Sequence, residues 1–283
     1  MTKKEIYASY EITFDGTHII DPYGNEIMPL LTVGDDKIGK KAKAFSLFHG
    51  NEIVTPDTFK NEKIKAVFEK TACKAIKGSC PCHCKECYCD SGNYIRYPGG
   101  AYASNLYKLI LVTEYPDFVK RAITAQIIAD IVKQCRIHEQ GDFHTSNKME
   151  YIDVWDYVLT ETEKTDCKYW TYSKDKDAIR ILSKHKNLKI VPSITPYGFN
   201  YGTCTEILEL YDKLVKAGYR VHICGCGTEY EKHCYDCKHG CKAIETECDF
   251  VLFIKHSSKE YKAGKKDPVE FKKVCDIIAR QEN

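Results

Sequence analysis

The second half of the chain alternates between two hydrophobic periods. Phe118, Ala122, Ala125, Ala129 and Val132 recur at helical spacing, and Ile123, Ile127 and Ile131 widen the stripe. Pro116 suits the first turn of that helix, where its missing N–H costs nothing. An apolar strand follows at 135–139. Next comes a helix opened by Thr145 or Ser146, whose stripe is Met149, Ile152, Trp155 and Leu159. The alternation then continues through strand 169–173, helix 175–184, strand 189–194, helix 204–217 closed by Gly218, strands 220–224 and 250–256, and a last helix after Asp267-Pro268. A strand at 74–77 would open the series. Each strand is followed by a connection long enough for a crossover, so repeated βα units predict a parallel sheet with right-handed connections.

The first part of the chain reads differently. Ile6 to Phe14 mixes β-branched and aromatic residues, and turn chemistry follows at Asp15-Gly16 and at Pro22-Tyr23-Gly24-Asn25. Residues 1–72 are therefore expected to be a β-rich N-terminal extension, with residues 73–283 forming the α/β domain. Two strands share a parity: Arg136-Ile137-His138 and Arg220-Val221-His222 each set an aliphatic residue against flanking Arg and His. Two coincidentally similar exposed edges would read the same way. A polar inner face favours a six-unit partial barrel around a site over an open doubly wound sheet.

Charge narrows the function classes. Forty-two basic against 40 acidic residues leave a net +2, no field by which the whole molecule would seek nucleic acid or an acidic membrane, so such binding would have to be local. The lysines at 40, 41 and 43, and those of the tail at 262, 265, 266, 272 and 273, read as solvated faces before phosphate contacts. No apolar leader follows the N-terminal lysines, and runs such as Leu109–Val112 are too short to span a bilayer. A cytoplasmic location is expected, where thiols stay reduced and metal binding outranks disulfides.

Eleven of the 16 cysteines crowd into two windows, so the expected chemistry concentrates there. In the first, Cys80, Cys84 and Cys87 make C-x3-C-x2-C; three thiolates can hold three irons of a [4Fe–4S] cluster and leave the fourth open to a small ligand. In the second, Cys234, Cys237 and Cys241, with Cys224 or Cys226 ahead, can close a four-thiolate sphere around a second cluster or a zinc ion. Cys82, Cys89 and Cys248 remain undecided as ligands, and His233 or His239 could replace a cysteine. At the expected carboxyl ends of the strands stand His138, Glu139, Gly141 and Asp142, then Ser173, Ser193 and His256. Parallel folds place ligand groups there, although a His/Glu/Asp cluster can equally be a structural hydrogen-bond network.

Taken in order, Gly34-Asp-Asp-Lys-Ile-Gly-Lys40, Phe45-Ser-Leu47, Cys80-Pro81, Cys87-Tyr88, Asn105-Leu106, Arg136-Ile-His138, Gly141-Asp-Phe143, Trp155, Thr171-Tyr-Ser173 and the late cysteines before Ile254-Lys-His256 resemble the phage and mobile-element gene product 88 family. Its members look like relatives of the radical S-adenosylmethionine superfamily. The resemblance implies a phage- or plasmid-encoded protein with a partial (β/α)6 barrel and two [4Fe–4S] clusters. The first cluster would bind S-adenosylmethionine for radical chemistry on an unknown substrate, with a macromolecule as one candidate. His138, Glu139, Gly141, Asp142, Ser173 and Ser193 are the cofactor-binding candidates. The competing expectation is a non-catalytic iron–sulfur or zinc protein with a redox-sensing, structural or nucleic-acid-associated role.

Overall fold

A computed structural model describes residues 1–34, 42–81, 100–192, 203–224, 249–253 and 268–282. The elements before the first cysteine window are α1 (Lys3–Ser9), β1 (Ile19–Ile20), β2 (Glu26–Ile27), β3 (Thr32–Val33), β4 (Lys43–Phe45), β5 (Ile53–Val54), α2 (Glu62–Thr71) and β6 (Ile76–Lys77). After it come α3 (Ala101–Glu114), α4 (Pro116–Ala129), β7 (Gln134–Ile137), α5 (Lys148–Glu161), β8 (Lys168–Ser173), α6 (Lys176–Leu182) and β9 (Leu188–Pro192). The chain continues as α7 (Cys204–Lys216), β10 (Val221–Cys224), β11 (Phe250–Phe253) and α8 (Pro268–Glu282).

Strands β4, β7, β8 and β9 run parallel in that order, with β3 antiparallel at the edge beside β4. Side chains alternate across this sheet. One face carries Phe45, Cys135, Ile137 and Tyr169 into the main core, which α3, α4 and α5 supply with Leu109, Ile123, Ile152 and Trp155. The register sets Ala44, Arg136, Trp170 and Lys189 in a row on the other face. Strands β10 and β11 form a separate parallel pair, packed on one side by α7 and α8 through Ile207, Val274 and Ile278. Their other side joins Cys224 and Val251 to Ala44, Trp170 and Val191.

The βα alternation from residue 116 on therefore folds as its periods dictate. Two expectations are corrected, and one helix is added. Residues 3–9 are a helix: Thr2 and Glu5 close a capping box, Thr2 N–H donating to Glu5 Oε2 at 2.7 Å, and a turn of helix lets Tyr7 stack on Phe14 with ring centroids 4.4 Å apart. The segment at 76–77 is not the first parallel strand; it pairs antiparallel with β5, and the parallel strand is β4, drawn from the supposed N-terminal extension. Its run Ala44-Phe-Ser-Leu-Phe48 is buried throughout, which a central position requires. The helix α3 was not foreseen, because Leu109, Ile110, Leu111 and Val112 are all fully buried and leave no amphipathic stripe to read. The described strands form a mixed α/β arrangement of several sheets with no closed barrel among them, and β11 packs against β9.

The turns were legible. Asp21 Oδ1 accepts from Tyr23 N and Asn25 N at 3.0 and 2.8 Å, joining β1 to β2 where Pro-Tyr-Gly-Asn predicted a turn.

Candidate functional site

The carboxyl ends of β4 and β7 continue as two loops that stay paired. His138 N donates to Phe45 O at 2.7 Å, Glu139 N to Ser46 Oγ at 3.2 Å and Leu47 N to Gln140 O at 3.0 Å. Gly141 then turns with φ +87°, and a Cβ there would meet Ser79 Oγ at 2.5 Å and Leu47 O at 3.0 Å, so both backbone conformation and space demand glycine. The next residue, Asp142, is buried. Its carboxylate accepts from Ser173 Oγ at 2.6 Å, Lys174 N at 2.9 Å and Phe143 N at 2.8 Å, tying the loop after β7 to the end of β8. Burial raises its pKa against the pull of those donors. Asp175 caps α6 through Asp177 N and Ala178 N and takes His144 Nδ1 at 3.1 Å. Gly141, Asp142 and Ser173 thus come together, with Asp142 and Ser173 satisfying each other as a structural network does. Ser193 and His256 lie outside the described residues.

The first cysteine window is fastened to this edge at both ends. On entry, Ser79 N and Oγ both donate to Phe48 O, at 3.1 and 2.7 Å, and Cys80 N donates to Gly50 O at 2.8 Å. Ser79 O accepts from His144 N at 2.9 Å, and a Cβ on Gly78 would meet Gly50 O at 2.4 Å. On exit, α3 brings Tyr102 Oη to 3.4 Å from His49 Nε2, and Asn105 O accepts from Phe48 N at 3.2 Å. The Gln140 amide bridges the two: its Nε2 donates to His49 Nδ1 at 2.7 Å while its Oε1 accepts from Asn105 Nδ2. Cys82, Cys84, Cys87 and Cys89 lie outside the described residues.

His138 departs from the parity its strand suggested. With φ +63° it turns from the Arg136 face to the helix side, where it is 3% exposed and its ring meets Phe143 edge-on. Tyr151 Oη accepts from Trp155 Nε1 at 2.9 Å and is hydrogen-bonded to His138 Nε2, 2.6 Å away. Among the described residues the histidine Nδ1 has no hydrogen-bond partner. Burial, aided by the Arg136 cation, holds the His138 pKa down at about 3. Arg136 stays on the face opposite α3, α4 and α5, its guanidinium 5.9 Å from the centre of the Tyr172 ring. His222 shares the corresponding face of β10, whereas Arg220 precedes the strand and pairs with Asp249 at 3.3 Å.

The second window starts from Cys224, the last residue of β10, 2% exposed among Trp170, Val191 and Val251. Cys226, Cys234, Cys237, Cys241, Cys248, His233 and His239 lie outside the described residues. Thiolate donors suit iron or zinc alike, and the half-buried Cys80 at an edge and the enclosed Cys224 fit an accessible and a closed site respectively. Away from the windows, burial pushes the thiols of Cys135 and Cys167 upward, the latter to about 12, which leaves them inert. An exposed trio on the N-terminal hairpin, Asp15, His18 and Glu26, clusters within 4.8 Å, but Asp15 Oδ1 is already taken by Thr17 N and His18 N at 2.7 Å.

Sequence reasoning gave no role to His49, Ser79, Gln140 and Lys108, and took Asn105 only as part of a motif; of the rest, Lys108 carried a signal as the one charge inside the run Leu106–Val112.

Among the described residues no helix is long and apolar enough to cross a membrane. The family profile described as Gene product 88 matches residues 29–199, more than half of the chain, taking in β3 to β9 and the first cysteine window but not the second. No curated protein and no solved structure matches the chain.

Proposed function

The chain belongs to the Gene product 88 family, and from that premise we propose that it is an iron–sulfur protein whose first cysteine window forms an accessible metal centre at the carboxyl edge of the parallel strands. The observation that carries this reading is the double fastening of that window, Cys80 N to Gly50 O on entry and Tyr102 and Asn105 to His49 and Phe48 on exit. In this proposal Cys80, Cys84 and Cys87 hold one [4Fe–4S] cluster with an open iron, and Cys224, Cys234, Cys237 and Cys241 enclose another. The radical S-adenosylmethionine relationship, and with it the partial barrel, belongs to the same proposal. Bound S-adenosylmethionine would supply the radical chemistry. Glu139 and Gly141 would meet it at the strand ends, with Ser193, while His138, buried against Phe143 and Tyr151, joins Asp142 and Ser173 in holding the loop that presents them. The face bearing Arg136 and Tyr172, opposite α3, α4 and α5, supports a floor for the substrate.

A second reading is favoured by the apolar setting of Cys224: a closed, non-catalytic cluster or zinc site that stabilises the fold and serves a partner-binding role. Electron paramagnetic resonance of the dithionite-reduced protein separates the two. With S-adenosylmethionine added, one cluster signal is expected to change and the other to stay. A change confined to the signal that Cys237→Ala abolishes would reverse the assignment, and no change would leave the second reading.

A further inference from the structure

Trp170 is 1% exposed, and its one polar atom, the Nε1 donor, has no hydrogen-bond partner among the described residues. The chain's other tryptophan shows the ordinary arrangement, Trp155 Nε1 donating to Tyr151 Oη at 2.9 Å.

The sheet face turned away from α3, α4 and α5 carries Trp170 in its middle. The register sets it beside Arg136 on β7 and Lys189 on β9, and neighbouring strands lie about 4.8 Å apart. Arg136 is half-buried, and its guanidinium lies 5.9 Å from the centre of the ring of Tyr172, two residues on from Trp170 along the same face. Among the described strand positions of β4, β7, β8 and β9, this face receives Arg136, Lys168 and Lys189 and no carboxylate. Ala44, Val191 and, from β11, Val251 pack in one cluster with Trp170. A buried water needs two or more polar partners, and these side chains offer none. A negatively charged oxygen group brings both missing elements, an acceptor for the indole N–H and a countercharge that fits the guanidinium fork. An apolar body attached to that group would lie against the alanine and the valines.

We propose that this face binds a small organic oxyanion, a carboxylate or a phosphate ester on an apolar body, with Arg136 pairing its charge and Trp170 Nε1 donating to one of its oxygens. The proposal rests on the reading of this face as the substrate floor and names the substrate class.

The full chain, as purified, is titrated by calorimetry with sodium butyrate and with sodium butyl phosphate, against butanol and against sodium chloride of matched ionic strength. Saturable binding is expected for an anion and not for butanol or chloride, and the tighter of the two anions tells carboxylate from phosphate. Arg136→Met should weaken that binding about tenfold, the loss of one charged hydrogen-bonded pair. Trp170→Phe, which keeps an aromatic ring and removes the N–H, should weaken it about threefold. Wild-type affinity in either variant, equal binding of butanol, or no binding of either anion would overturn the proposal. Should a variant fail to fold, phenylglyoxal labelling of the wild type decides: the anion must slow labelling of Arg136 while Arg180, whose side chain is 71% exposed, reacts as before. Equal labelling of Arg136 with and without the anion refutes the site. These measurements need neither S-adenosylmethionine nor a reduced cluster, so a failed titration leaves the resonance test of the metal reading standing, and the reverse holds.

Discussion

Ile137→Asp is expected to yield no folded protein, whereas Arg136→Met, one residue earlier and half-buried on the opposite face, should fold with a clearly smaller loss. Ile137 is fully buried beside Phe45 in the main core, while Arg136 occupies the opposite face over Tyr172. Losing the isoleucine side chain alone costs about 2–5 kcal/mol, and placing an unpaired carboxyl there adds several more. Together these reach the total stability of a typical domain, about 5–15 kcal/mol. Circular dichroism and urea unfolding of the two variants check the face assignment. Similar behaviour of the pair would contradict helix cover on one side of this sheet.

Acidification is expected to destabilise the protein through His138 well before its carboxylates protonate. Its folded pKa is held at about 3 by burial and by Arg136, against an unfolded value near 6.5. A depressed pKa means that the unfolded chain binds the extra proton first, so this contribution is complete above about pH 6.5 and is lost progressively as pH falls toward 3. Between pH 7.5 and 5 the loss amounts to about 2 kcal/mol, and toward pH 3 to about 4–5 kcal/mol. His138→Asn should flatten that limb of the urea-midpoint profile. A profile unchanged by the substitution would mean that His138 is not buried neutral against Tyr151.

The order of strands and helices from Pro116 onward could be read because each helix shows one apolar stripe and each strand a short apolar run. What escaped the sequence had physical reasons. α3 is apolar nearly all round, so its period vanishes, and the β-prone composition of residues 6–14 hid a seven-residue helix held by its cap. The joining of residues 43–45 to residues 134–137 is a long-range pairing that no local pattern announces. At the site, Gly141 and Asp142 were legible because a tight turn at a strand end needs such residues. The direction of His138 was not, since one positive φ reverses the side that parity assigns.

The central claim, that the two cysteine windows hold iron–sulfur clusters, is tested most directly by metal and acid-labile sulfide analysis of anaerobically purified wild-type, Cys87→Ala and Cys237→Ala proteins. The account predicts brown wild-type protein with iron and sulfide in equal amounts, and about half of each lost in either variant. Stoichiometric zinc without sulfide, or wild-type protein with no bound metal, would contradict it.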